Sequence, residues 1–158
     1  MLHLPLQPGV WAAYTPVLTA STTNPTLGNG TILGRYMQIG KTVWCSVRLA
    51  WGSTSTVGSG IYRITLPVTA ASDYNDATAE SAAGGLTQGA RIFDTDGGGV
   101  SKHYYGWRVR IRSGLDFDVA KAADEGSSSG VSGAYTDTVP VVPADGDTMQ
   151  AFFVYEAA

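Results

Sequence analysis

The ten residues from Thr42 to Trp51, "TVWCSVRLAW", place an apolar side chain at every second position: Val43, Cys45, Val47, Leu49 and Trp51. Ser46 and Arg48 fall between them. A period of two belongs to an extended chain with one face buried, and it excludes an amphipathic helix, whose apolar residues recur every three to four. The same period runs through Ser101–Arg112, where His103, Tyr105, Trp107, Val109 and Ile111 share one face and Lys102, Tyr104, Arg108, Arg110 and Arg112 the other. Hardly any helical period competes with it elsewhere.

Turn signals divide the remaining chain. Residues 10–19 read as a first strand, with Pro16 marking an edge or a bend. Asn24-Pro25 and Asn29-Gly30 form a corner, Asn-Gly being suited to the positive φ of a tight turn. Residues 30–39, Gly40-Lys41 and 42–51 predict a hairpin. "GSTSTVGSG" at 52–60 is a small-residue loop; 61–66 is a strand closed by Pro67. Residues 68–84 predict a long excursion with a helical turn around 77–83. Strands follow at 86–94, 101–112, 115–119 and 148–156, with "DTDGGG" at 94–99 as a turn and a Gly/Ser loop at 121–133. Only 15% of residues are charged, and Gly, Ser and Thr take the place of surface Lys and Glu. The prediction is an all-β chain: an antiparallel β-sandwich, jelly-roll-like, of about eight strands. Residues 1–9 are expected to be an extended arm, apolar but broken by Pro5 and Pro8, and residues 10–158 one domain.

Function classes fall away in turn. The net charge of −3 offers no footprint for nucleic acid. No apolar run reaches membrane-spanning length, and no basic-then-apolar signal opens the chain, so synthesis in a cytoplasm without export is expected. The single cysteine, Cys45, cannot form an internal disulfide and reads as a buried, inert thiol. The glycines at 28, 30 and 34 have the wrong spacing for a dinucleotide loop and precede a strand; a Walker glycine is replaced by Arg35. Asn29-Gly30-Thr31 matches a glycosylation sequon but lacks a secretory context. An EF-hand starting at Asp94 would need Glu where Tyr105 stands. Asp94/Asp96 and Asp145/Asp147 read as turns, with a looser cation site as the alternative. His3 and His103 are too few for zinc. No Gly-x-Ser-x-Gly elbow is present. Asp116 and Asp118 are expected to pair across strands with Arg110 or Arg112 rather than to hydrolyse a sugar. No cofactor and no enzyme is expected.

The Arg108, Arg110 and Arg112 stripe admits two readings: a solvated face balanced by acids, or a docking face for an acidic partner or an anionic glycan. Tyr62, Tyr74 and Tyr104 are candidates for stacking on a sugar. Trp44 is expected to pack in a core or a subunit interface.

The phrases "YTPVLTASTTNPTLGNGTILGRYMQIGKTV" (14–43), "GSTSTVGSGIYRITLPV" (52–68) and "GDTMQAFFVYEAA" (146–158) resemble a recurrent module of minor tail and tail-fibre proteins, mostly from phages of actinobacteria. The resemblance spans nearly the whole chain. It implies a β-sandwich on the virion surface, often trimeric, without a catalytic centre. In large tail proteins the module caps a long shaft. Here the domain opens near residue 10 with no coiled coil or collagen-like run before it. Attachment is therefore expected through the module's own faces or the arm, with Leu2, Leu4 and Leu6 on a neighbouring subunit. The expected role is an oligomeric, trimeric capsid decoration protein docked on major capsid or tail proteins. A tail tip touching a host cell-surface glycan is the alternative, and a glycan depolymerase ranks last.

Overall fold

Over residues 42–50 and 148–156 the chain is extended and every second side chain is buried. The computed structural model describes residues 9–72, 89–95, 102–112, 114–121 and 133–158. Ten strands occur in it: β1 (Ala12–Tyr14), β2 (Leu18–Ala20), β3 (Thr31–Ile39), β4 (Thr42–Ala50), β5 (Tyr62–Thr65), β6 (Gly89–Asp94), β7 (Lys102–Ile111), β8 (Asp116–Lys121), β9 (Gly133–Ala134) and β10 (Thr148–Glu156). No helix occurs among the described residues. The strands join in one antiparallel sheet, in the order β1-β3-β4-β10-β6-β7-β8-β5-β2, with β9 on β8, and the sheet curls into a half-barrel.

The predicted first strand is two strands. Pro16 has no N–H to donate, so the ladder breaks there. β1 pairs with β3 at one edge of the sheet and β2 with β5 at the other. Only Thr15, Pro16 and Val17 separate them, a reach of about 14 Å for a fully extended chain. The two edges of the sheet therefore lie close together. Thr65 holds the bend: its N–H donates to the Val17 carbonyl at 3.1 Å, and its Oγ1 accepts from the Val17 N–H at 2.9 Å.

The glycine-rich corner also differs from expectation. It does not end a strand; it lies inside one long antiparallel ribbon. From Ile39↔Thr42 to Thr31↔Ala50 the pairing holds one register. It resumes at Thr26↔Thr56 and Thr23↔Ser59, then runs to Leu18↔Ile64, offset by one residue. Four residues (27–30) face five (51–55), an extra residue of the kind that bends and twists a ladder. The stretch read as a free loop, 52–60, is the opposite wall. Short polar side chains stitch the two: Asn29 Oδ1 accepts from Thr54 N at 3.0 Å and Thr54 Oγ1 at 2.9 Å, and the Thr26 and Thr56 hydroxyls meet at 2.8 Å. The positive φ falls on Gly28 (55°), not on Gly30, in a turn closed by Gly30 N–H donating to the Leu27 carbonyl at 2.6 Å. Farther along, Gly34 lets the chain cross itself, since a Cβ there would strike the Tyr14 ring and Pro16.

The buried face forms one apolar cluster. Val43, Cys45, Val47 and Leu49 of β4 meet Met149, Ala151, Phe153 and Tyr155 of β10, with Ile92, Val109, Ile111, Phe117, Val119 and Ile64 around them. Rings fill the widest gaps: Phe117 and Phe153 lie 4.7 Å apart, and Tyr62 sits between Trp51 and Tyr135 at 5.5 and 5.0 Å. Deep hydroxyls and ring N–H groups find partners, as Trp51 Nε1 does in the Tyr135 hydroxyl at 3.0 Å.

Candidate docking faces

Several predicted positions lie outside the described residues: Leu2, Leu4, Leu6, Tyr74, Asp96 and the helical turn at 77–83. Tyr104 is placed only by its backbone, opposite Ile92, beside a register shift between Ala90 and Ile92. The ladder between β6 and β7 therefore does not hold one register. Tyr62 is corrected. Its ring is 2% exposed inside the aromatic cluster, and its hydroxyl donates to the Val57 carbonyl at 2.8 Å, so no face of it is open to a sugar. Trp44 is half-buried on the outer face, where it is the ladder partner of both Met37 and Val154.

β8 runs beside the arginine stripe of β7, and its Asp118 is the ladder partner of Arg110. Asp118 is 1% exposed. Arg110 grips it with two bonds, Nε to Oδ1 at 2.7 Å and Nη2 to Oδ2 at 2.9 Å. Arg112 Nε adds a contact to Oδ2 at 3.4 Å. The planar guanidinium matches the two carboxylate oxygens, which is the geometry of a strong pair. A carboxylate this deep needs such partners, because burial of an unpaired charge is costly. Two of the three stripe residues thus hold an internal charge, and the Asp–Arg cross-strand pairing expected from the sequence is present.

A second buried carboxylate, Asp147, acts as a clamp. Asp147 is buried and takes three donors: Thr95 N at 2.7 Å and Thr95 Oγ1 at 3.1 Å on one oxygen, Ala144 N at 2.9 Å on the other. This ties the 144–147 turn to the end of β6. No group of three His, Cys, Asp or Glu side chains able to hold a metal occurs among the described residues. Cys45 is fully buried, and its thiol is pushed up to about 12 by burial; a thiolate nucleophile is disfavoured there. The Tyr14 hydroxyl lies 3.4 Å from its sulfur, and burial likewise raises that hydroxyl.

A second face was not singled out by the sequence reading. The outer sides of β3, β4, β10 and β6 form a surface in which Arg35, Arg48 and Arg91 are all exposed. Ladder pairing places Leu33, Arg48, Gln150 and Arg91 in one row across the four strands. Arg91 donates from Nε and Nη2 to Gln150 Oε1 at 3.0 and 2.7 Å. The next row holds Phe152, opposite Ser46 on one side and Gly89 on the other. Neither neighbour is large enough to cover the ring, and a Cβ on Gly89 would meet nothing within 4 Å. Phe152 is 46% exposed as a result, and Leu33 at 62% and Ile39 at 39% extend the apolar area. A shallow depression of about 330 Å³ lies against Ser46, Gly89, Arg91, Gln150 and Phe152. A neighbouring one of about 350 Å³ lies against Arg48, Arg91, Phe93 and Thr148. The signal for this face was present in the sequence: in an alternating strand, one of two adjacent phenylalanines, Phe152-Phe153, has to point outward.

No protein-family model, no curated protein and no solved structure matches this chain.

Proposed function

We propose that this chain is a non-enzymatic structural protein of a bacteriophage virion surface: a trimeric capsid decoration protein that docks on and stabilises the particle. The observation that carries the reading is the four-stranded outer face of β3, β4, β10 and β6, which exposes Leu33, Ile39 and Phe152 among Arg35, Arg48 and Arg91. Apolar groups with arginine are the composition of interface centres, where lysine and carboxylates are depleted. The tail-module resemblance of residues 14–43, 52–68 and 146–158 supports a place on the virion surface, and its usual context favours the tail. The arm with Leu2, Leu4 and Leu6 serves as a second attachment, on a neighbouring subunit. In this reading the curled sheet works as a jelly-roll-type sandwich. The folded ribbon of residues 18–65 supplies the corner at which strands pass from one layer to the other.

A second reading has its own support. The uncovered Phe152 ring beside Gln150 and Arg91 suits a tail-tip protein that stacks a host cell-surface sugar. Quantitative mass spectrometry of purified particles separates the two. Hundreds of copies per virion are expected for decoration of the shell, and a handful for the tail. Absence from particles ends both. Free protein that blocks adsorption would overturn the decoration role in favour of the tail.

A further inference from the structure

We infer that the outer face of β3, β4, β10 and β6 seats an acidic side chain of a protein partner between Arg48 and Arg91, over Gln150, while Phe152 and Leu33 receive the apolar groups beside it. The inference rests on the docking-face reading above and adds the chemistry of the partner.

The first argument is the donor count. Cross-strand neighbours stand about 5 Å apart, so Arg48 and Arg91 start about 10 Å apart on either side of Gln150, and their long side chains can converge on one carboxylate over it. Arg91 is oriented by Gln150 Oε1, a neutral acceptor, so its charge is not cancelled. The same bonds occupy the amide oxygen of Gln150 and leave its NH2 as a further donor. Arg35 and Arg48 meet no carboxylate among the described residues. The charged residue of opposite sign on this face, Glu156, lies six residues along β10 from Gln150, about 20 Å away. The row therefore presents two guanidinium groups and an amide NH2, with Oγ of Ser46 close by. A neutral sugar both donates and accepts, and this row offers it mainly donors. A carboxylate accepts from all of them.

The second argument is charge placement. The whole chain carries −3, yet this face carries three arginines against one glutamate. Positive charge collected on one face of an acidic protein steers acidic partners to that face.

The third argument is extent. Three strand spacings of about 4.8 Å and nine residues at about 3.4 Å each, with side-chain rims, give roughly 600 Å². That approaches the ~800 Å² that each partner contributes to a standard protein interface, and it exceeds the footprint of a short sugar. Exposed Leu33 and Ile39, away from the depression, have no role in a sugar site but fit a protein surface.

The test is a titration of the isotope-labelled full chain, followed by NMR, with a synthetic peptide alternating Glu and Leu. Its twin carries Gln for Glu, and an oligoglucuronate forms the third arm. The expected result is chemical-shift change at Arg48, Gln150, Arg91 and Phe152 with the Glu peptide and not with its twin. The double variant Arg48→Ser/Arg91→Ser should weaken binding by at least about tenfold, and added salt should weaken it further. Change centred on Arg108–Arg112, equal response to the Gln twin, indifference to the double variant, tighter binding of oligoglucuronate, or no response on this face would each overturn the proposal. The outcome is separable from that of the virion reading: a chain present on particles whose outer face ignores the Glu peptide keeps its function and loses this seat.

Discussion

Two patches on the outer side of this sheet carry three arginines each, and they treat them in opposite ways. On β7 and β8, Arg110 and Arg112 bond to Asp118, a carboxylate removed from water. On β3, β4 and β6, Arg35, Arg48 and Arg91 lie outward, and the group between the last two is the neutral amide of Gln150. The difference is one side chain in the neighbouring strand. A carboxylate there converts a row of cations into an internal pair, whereas an amide orients a cation without spending its charge. An arginine stripe is thus uninformative until the neighbouring strand and its register are known.

Asp118→Ala should break the comparison most severely. It would take from Arg110 the carboxylate that it grips with two bonds, a loss of about 3–5 kcal/mol on removal of one partner of a buried pair. The double change Arg48→Ser/Arg91→Ser on the other patch should stay within about 0.5 kcal/mol per site. Urea denaturation measures both, and a similar loss on the two patches would end the distinction. Adjacent phenylalanines offer the same contrast in apolar form. Phe153→Ala opens a cavity against Phe117 and should cost about 3–5 kcal/mol; Phe152→Ala should cost less than about 1 kcal/mol.

A smaller effect concerns pH. The buried Cys45 thiol keeps its proton up to about 12 in the folded chain, against 9.0 for its ordinary value. Between those values the folded state binds the extra proton. Stability is therefore complete below pH 9 and falls as pH rises toward 12. Burial shifts the hydroxyls of Tyr14, Tyr62, Tyr135 and Tyr155 in the same direction. Melting temperatures across alkaline pH should show the fall, and Cys45→Ala should flatten its beginning; an unchanged slope would remove Cys45 from the account. The smallest expected change in stability, within about 0.5 kcal/mol, comes from Gly89→Thr, which adds a side chain in open space. It should nonetheless cover part of the Phe152 ring and weaken docking, so that equal docking with and without it would remove Phe152 from the face.

The strands were largely legible in the sequence. Alternation placed β4 with its buried side, the hairpin from 31 to 50, and β10, because a period of two is a local property of an extended chain. Pro16 was legible as a bend because its ring removes an N–H locally. The same reasoning could have removed Tyr62 from the sugar candidates: it shares a face with Ile64 in a strand, and both are buried. The pairing of residues 23–26 with 56–59 was not legible, since two Gly/Ser/Thr-rich stretches look like loops until side chains thirty residues apart meet. Nor was the shift between β6 and β7, where an extra residue in the ladder changes the register.

By itself the sequence determined that the chain is all-β and antiparallel, which residues of β4 point inward, and that Pro16 bends it. Each of these follows from forces acting over a few residues. Only the tertiary structure decided which strands lie side by side, and with that which arginines meet a carboxylate and which face water. Charge pairing depends on the strand next door, and which strand that is depends on how the whole sheet curls.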